Sequence, residues 1–259
     1  MRKNSVKQML GEGKTIVGTM ISEFGSPEVM KILSSAGFDF VLIDTEHAPF
    51  SLETVNNLVR VGRAVGLTCI VRVPDTEYHL IARTLDAGAH GLMFPRIETR
   101  EQLEAAVRAS KFPPWGERGY GVRGIITDYQ QATVEENIHF LNDDTVMVAQ
   151  IEKRSAIDDI DNILSVKGVD IALIGPNDLS ISLEVPGQLD HPSMREAIRR
   201  VIDACNSHGI ASGTHVRDMK NLLYWRDQGM RVLTFSTEAG MLMASAKEAV
   251  ARLRTEPFH

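Results

Sequence analysis

The sequence predicts one (β/α)₈ barrel, a closed parallel sheet ringed by helices, and three observations carry that reading. Its 259 residues are close to the ~250 that such a barrel needs. Strand-like and helix-like patterns alternate through eight units with little interruption. The strand-like runs are apolar on both faces, as parallel strands covered by helices must be. Alternation of this kind implies right-handed crossovers within one parallel sheet. A doubly wound open sheet is the alternative, and eight units in this length favour closure. No low-complexity segment or Pro/Ser-rich linker divides the chain, so residues 1–259 read as one domain.

The first strand is "TIVGTMIS" (15–22), and "SPEVMKILSSAG" (26–37) is a helix opened by Ser26–Pro27 and closed by Gly37. "FDFVLIDTE" (38–46) is the second strand, followed by the helix "SLETVNNLVRVGRAVG" (51–66). There Ser51 and Thr54 fall short of a capping box, while Glu53 suits the positive end of the helix. "TCIVRVP" (68–74), the helix "TEYHLIARTLDAG" (76–88) and the strand "GLMFPRI" (91–97) come next. "TREQLEAAVRAS" (99–110) has apolar residues at helical spacing. The fifth and sixth strands, "TVMVAQIE" and "VDIALIGP", flank the helix "SAIDDIDNILSV". "HPSMREAIRRVIDACNSHG" leads to "IASGTHV", then "DMKNLLYWRDQG" to "RVLTFST", and "EAGMLMASAKEAVARLR" ends the pattern. One connection breaks the rhythm. Residues 111–144, with "PPWGERGYGVRG" and a helix "VEENIHFLN", far exceed the usual ~4–6 residues and point to a functional or interface loop.

Composition narrows the function classes. A net charge of −6 with dispersed basic residues argues against a nucleic-acid partner. No apolar run approaches the ~20 residues of a membrane span. The start "MRKNSVKQML" lacks the apolar stretch of a signal peptide. Cys69 and Cys205 provide no disulfide framework, which fits a reducing cytoplasm.

In a barrel the carboxyl ends of the strands share one face, and that face holds the active site. Those ends carry Asp44, Glu46 and His47, then Arg72, Arg96, Gln150 with Glu152, Asp178, His215 and Glu238. Glu152 and Asp178 follow neighbouring strands, so their carboxylates converge. Two hard oxygen ligands suit Mg²⁺ or Mn²⁺ better than zinc. Each residue alone has a plainer reading. Asp178 in "GPNDLS" also fits a helix cap, His47 a structural histidine and Arg72 a surface ion pair. Asp86, in the last turn of its helix, carries a charge the dipole disfavours, which calls for a cationic partner unless it is simply solvated.

"FDFVLIDTEHAPFS", "VRVP", "LDAGAHGLMFPRIET", "RGYG", "QIE" and "IGPNDLS" occur in that order along the chain. In this combination the sequence resembles the HpcH/HpaI aldolase family, metal-dependent pyruvate aldolases related to citrate lyase and malyl-CoA lyase. The resemblance implies a barrel of the phosphoenolpyruvate/pyruvate type that cleaves a 4-hydroxy-2-oxo acid to pyruvate and an aldehyde. It makes Glu152 and Asp178 the ligands of a divalent cation, Mg²⁺ or Mn²⁺ with Co²⁺ as an alternative. It makes Gln150, Gly175, Asn177 and Asp178 substrate-binding, with backbone N–H groups of Gly175 and Asn177 gripping the pyruvate carboxylate. Arg72 stabilises the enolate and His47 is the base, with Asp86 raising its basicity and Asp44 as a second candidate partner. No organic cofactor is implied. No lysine stands at a strand end for a Schiff base, and Lys153 points away from its neighbour Glu152.

The sequence departs from the family at two places. Asn177 stands where alanine is common, and "FSTEAGML" replaces a "GxDT"-like turn. Arg118 and Arg123 either bind an acidic aldehyde tail or order the loop, and His215 and Glu238 read as structural. A CoA-thioester lyase and a non-catalytic binding barrel are the rival readings; a phosphate-substrate barrel lacks the Gly-rich loops it needs after the last two strands. The C-terminal helix, about 238–254, is ordinarily buried within its own chain. The family instead packs it on a neighbouring subunit and forms hexamers, which implies a homo-oligomer.

Overall fold

A computed structural model describes residues 3–255 of the chain. Residues 256–259, and the Met1–Arg2 head of the stretch read as lacking a leader, lie outside the described residues. The strands are β1 (Ile16–Ile21), β2 (Phe40–Asp44), β3 (Thr68–Arg72), β4 (Gly91–Phe94), β5 (Val146–Ile151), β6 (Ile171–Ile174), β7 (Ala211–Val216) and β8 (Val232–Thr237). Each pairs in parallel with the next and β8 pairs back onto β1, so the barrel closes.

Successive side chains of a strand point to opposite faces, and the apolar residues divide accordingly. Phe40 and Leu42 of β2 fill the interior with Val146 and Val148 of β5, Ile171 and Leu173 of β6, and Val232 of β8. Val41, Ile43, Met147, Ala149 and Ile151 face outward, into the layer shared with the helices. Complete burial of each Val, Leu, Ile, Phe or Met side chain among them stabilises the fold by ~1.5–3 kcal/mol. That is why these strands read as continuous apolar runs.

The helices are α1 (Ser5–Gly11), α2 (Glu28–Ser35), α3 (Leu52–Val65), α4 (Tyr78–Asp86), α5 (Arg100–Ser110), α6 (Val134–Asp144), α7 (Arg154–Asp158), α8 (Ile160–Leu164), α9 (Pro176–Ser182), α10 (Pro192–His208), α11 (Met219–Asp227) and α12 (Glu238–Thr255). Thr99 and Thr133 make complete capping boxes with Gln102 and Glu136, and so place the starts of α5 and α6. Ser51 caps α3 through the Thr54 N–H alone. Among the described residues no helix is long and apolar enough to cross a membrane.

Four features differ from the sequence reading or extend it. Helix α1 has no counterpart there. Asn4 caps it by accepting from the Val6 and Lys7 N–H groups, and Val6 joins the interior cluster. A helix of two turns with one buried side chain carries too little periodicity to be read. The single helix expected over "SAIDDIDNILSV" is two, because Asp159 (φ −111°, ψ 23°) leaves helical geometry and its carboxylate accepts from Asn162 instead. The long connection does contain the helix expected in it, and packs a small core of its own from Phe112, Ile125, Ile126 and Leu141. Helix α12 is not buried within its own chain: every described side chain from Leu242 to Arg254 is exposed, Leu253 at 82%.

Candidate active site

Followed towards the carboxyl ends, the inward columns change character. Phe40 and Leu42 lead to Asp44, Ile70 to Arg72, Val146 and Val148 to Gln150, Ala211 to His215, and Val232 to Thr234. Carboxylates and other polar groups recur at those ends because a period of two keeps each column on one face, and the upper layer of the barrel is its mouth.

Asp44 and Arg72 form the centre of the mouth. Registered opposite each other on β2 and β3, they make a two-pronged pair, Nε to Oδ1 at 2.9 Å and Nη2 to Oδ2 at 2.8 Å. Arg72 Nη1 also lies 3.3 Å from Glu46 Oε2. Burial acts to raise the Asp44 pKa. The Arg72 guanidinium and the backbone N–H groups of Glu46 and His47 outweigh it and hold the carboxyl below the usual range. Burial acts to lower Arg72, but Asp44, Glu46 and Glu152 outweigh it and raise its pKa.

Glu152, only 3% exposed, accepts from the Arg96 N–H at 2.9 Å and from the Gln150 side-chain amide. Arg96 can aim that N–H because its backbone is left-handed, φ 53°. A non-glycine residue held there costs about 1–3 kcal/mol and is characteristic of functional sites. The Arg96 side chain turns to Glu46 at 3.6 Å and to Asp75 at 3.4 Å. Burial, followed by the negative charges of Asp178 and Glu46, raises the Glu152 pKa despite Arg96 and Arg72. Gln150 Oε1 is buried without a partner.

This donor set fits a hard divalent cation. It offers Glu152 and Asp178, repelling each other with no cationic side chain bonded to either, beside an unsatisfied amide oxygen. Asp178 is exposed in the first turn of α9. Gly175 contributes space: a Cβ there would come within 2.5 Å of Glu152 Oε2 and 2.9 Å of Gln150 Nε2. Its N–H donates to the Ile151 carbonyl at 3.1 Å, continuing the ladder. In the turn that follows, Pro176 has no N–H and that of Leu179 bonds Gly175. Asn177 and Asp178 therefore keep the free donors.

His47 does not meet either partner expected for it. Its side chain is 67% exposed and the nearest carboxylate is Glu46, with Nε2 3.7 Å from Oε2. Asp44 accepts the His47 backbone N–H and spends its remaining capacity on Arg72. Asp86 lies in the outer layer, in a cleft between α3, α4 and the long connection, and bonds Arg118 Nη2 at 2.7 Å. That pair supplies the cation its place in the last turn of α4 demanded. Arg118 is buried and stacked 4.7 Å above the Phe112 ring, so it orders the loop. The one buried lysine among the described residues, Lys111, is pushed down to about 8 by burial and neighbouring Lys7. It lies beside Lys7, which bonds Thr145 and Asp170 at the amino ends of the strands, far from the mouth.

Known proteins share this architecture. A profile described as HpcH/HpaI aldolase/citrate lyase matches residues 20–244. The chain belongs to that family. This family member is 32% identical over 253 residues to a hydroxypyruvate/pyruvate aldolase of Roseovarius nubinhibens, covering 98% of each chain. It is 31% identical over 210 residues to the 2-keto-3-deoxy-L-rhamnonate aldolase of Escherichia coli, covering 81% of this chain and 78% of that one. Among solved structures, an HpcH/HpaI aldolase from Desulfitobacterium hafniense superposes with a TM-score of 0.93 at 34% identity over 97% of both chains. The resemblance read from the motifs is thus confirmed, and the aldolase-type lyase stands over the rival readings.

Two residues of this HpcH/HpaI member were visible at strand ends without an assigned role. Glu46 bridges Arg72 and Arg96, and the Arg96 backbone holds Glu152. His215, read as structural, stands on the inward column of β7. Burial, then Arg72 and Arg217, push its imidazole down to about 4. Its folded pKa therefore lies below the unfolded ~6.5, and its stabilising contribution is complete above that value and lost as pH falls towards 4. His215→Leu cannot titrate there. In urea unfolding it is expected to lose less stability than the wild type between about pH 7 and about pH 4.5. Equal losses would mean that the imidazole is not desolvated.

Proposed function

We propose that the protein is a divalent-metal-dependent aldolase that reversibly cleaves a 4-hydroxy-2-oxo acid to pyruvate and an aldehyde. The observation that carries this reading is the buried Glu152 carboxylate, gripped by Gln150 and the Arg96 N–H beside the Arg72–Asp44 pair. Glu152 and Asp178 would hold the cation, which supplies Lewis-acid polarisation of the 2-oxo group when bound. The side chains do the rest. Arg72, fixed by Asp44 and Glu46, presents a permanent positive charge where the enolate oxygen becomes negative, and needs no reorganisation at that moment. Gln150 orients the oxo acid from the floor of the mouth, and the free N–H groups of Asn177 and Asp178 take its carboxylate at the positive end of α9.

His47 takes the C4 hydroxyl proton as the C3–C4 bond breaks and its electron pair passes into the enolate, whose C3 then takes a proton to give pyruvate; in the reverse direction His47 returns its proton to the aldehyde oxygen. Since Asp86 lies outside the mouth of its own chain, a role towards His47 belongs to a second copy. The exposed Leu242, Met243, Val250 and Leu253 of α12 support such a homo-oligomer. The test is to incubate purified protein with a panel of 4-hydroxy-2-oxo acids and assay pyruvate, with and without EDTA. Pyruvate is expected from at least one substrate, abolished by chelation and restored by Mg²⁺ or Mn²⁺. Full activity in EDTA, or no pyruvate from any substrate, contradicts the reading.

A further inference from the structure

The mouth contains polar groups that the reaction outlined above leaves unused. Among the described residues, seven buried side-chain polar atoms lack a partner, and four of them stand at the mouth or its floor: Gln150 Oε1, His215 Nδ1, Thr234 Oγ1 and Glu238 Oε2, the last on a carboxylate whose other oxygen already accepts from the Ser22, Glu23 and Phe24 N–H groups. Native proteins pair almost all such atoms, so a cluster at one place calls for an explanation. Gln150 belongs to the oxo-acid side. His215 and Thr234 are registered partners on β7 and β8. They lie on the arc of the barrel that carries neither the carboxylates of β5 and α9 nor the Asp44–Arg72 pair.

The two nitrogens of His215 are not equivalent. Nδ1 is sealed from solvent and unpartnered. The residue as a whole is only half-buried, and Nε2, also without a protein partner, is its reachable nitrogen. A proton on Nδ1 would be a sealed donor with no acceptor, in the field of Arg72 and Arg217. With the proton on Nε2, its reachable nitrogen, the ring offers the mouth a neutral N–H donor.

We propose that His215 is a specificity-determining residue whose Nε2–H donates to a substrate hydroxyl outside the 2-oxo acid core, selecting hydroxylated substrates over their deoxy analogues. This rests on the aldolase reading above. The hydroxyl is carried either by the aldehyde or by C3 of the oxo acid, and the chemistry recognised is the same. A deoxy analogue leaves the donor unpaired in a desolvated wall, which is the condition under which a hydrogen-bonding site discriminates most strongly.

The test measures aldol addition for two pairs that differ by one hydroxyl: glycolaldehyde against acetaldehyde with pyruvate, and 3-hydroxypyruvate against pyruvate with a common aldehyde. The wild type is expected to prefer the hydroxylated member of one pair by about tenfold or more in kcat/KM. His215→Leu should bring that ratio close to one, mainly through KM, and His215→Asn, which keeps a side-chain N–H, should restore part of it. The pair that responds identifies the hydroxyl. A wild type without preference, or variants that lose both members of each pair equally, would overturn the proposal. Exchange of pyruvate methyl protons into D₂O by the wild type reads the enolising step without an aldehyde. Its absence would count against the lyase reading itself, not against His215 alone.

Discussion

Glu152→Gln is expected to reduce kcat/KM for pyruvate release by about 10³-fold or more while leaving the fold intact. The substitution conserves shape: the Arg96 N–H keeps one oxygen, and Gln150, by turning its amide, can offer its unpartnered Oε1 to the new amide nitrogen. What is lost is the charge that binds a dication, and charge stabilisation of a developing oxyanion is typically worth about 10²–10³ in rate for a single donor and more for a metal ion. Stability should move the other way. The folded pKa of Glu152 is raised by burial and by Asp178 and Glu46. A raised carboxyl contributes stability below its unfolded pKa, which is lost as pH rises through the folded value. At neutral pH without metal, the Glu152 carboxyl thus burdens the fold, and the neutral amide relieves it. The expected result is a higher Tm in EDTA, and a gain on adding Mg²⁺ that is smaller than in the wild type. A variant that is both active and unshifted in Tm would remove Glu152 from the centre of the mechanism.

Arg72→Met should harm both properties. The guanidinium makes two hydrogen bonds to Asp44 and a third contact with Glu46, all three side chains being largely buried. Removing one partner of a buried pair typically costs about 3–5 kcal/mol because the other charge is left uncompensated. Here two carboxylates are stranded. Turnover is expected to fall by about 10³-fold for want of a fixed positive charge at the enolate. Arg72→Lys separates the two effects, since an ammonium neutralises the carboxylates but cannot reproduce the planar two-pronged bond. It should recover much of the stability and little of the activity. The pH dependence has a definite sign. The Asp44 pKa is lowered in the fold, so its contribution is present above the unfolded carboxylate pKa and lost as pH falls through the folded value. Arg72→Met should lose most of that acid-sensitive component in urea titrations, and Arg72→Lys should keep part of it. Wild-type stability and turnover in Arg72→Met would refute the arrangement.

Much of this was legible in the chain itself. A period of two along each strand puts Asp44 on the face of Phe40 and Leu42, and Gln150 on the face of Val146 and Val148. Lys153, one step out of phase with Glu152, was excluded from the mouth on the same ground. Eight alternations in 259 residues implied closure, and closure occurs. Residues whose contribution the sequence did not show share a different property. Arg96 acts through a backbone N–H that only a left-handed φ directs at Glu152. Gly175 acts by having no Cβ, whereas its N–H belongs to the ladder.

Periodicity thus determined by itself which residues face inward and at which end they gather, because pleat and crossover handedness are local and near-invariant. Only the tertiary structure decided who partners whom. Arg72 with Asp44 spans 28 positions and Arg118 with Asp86 spans 32. Such meetings depend on where the ring closes and where a long loop returns. That is also why Asp86 went to Arg118 rather than to His47. A residue's face follows from its neighbours in the chain, whereas its partner follows from the whole fold.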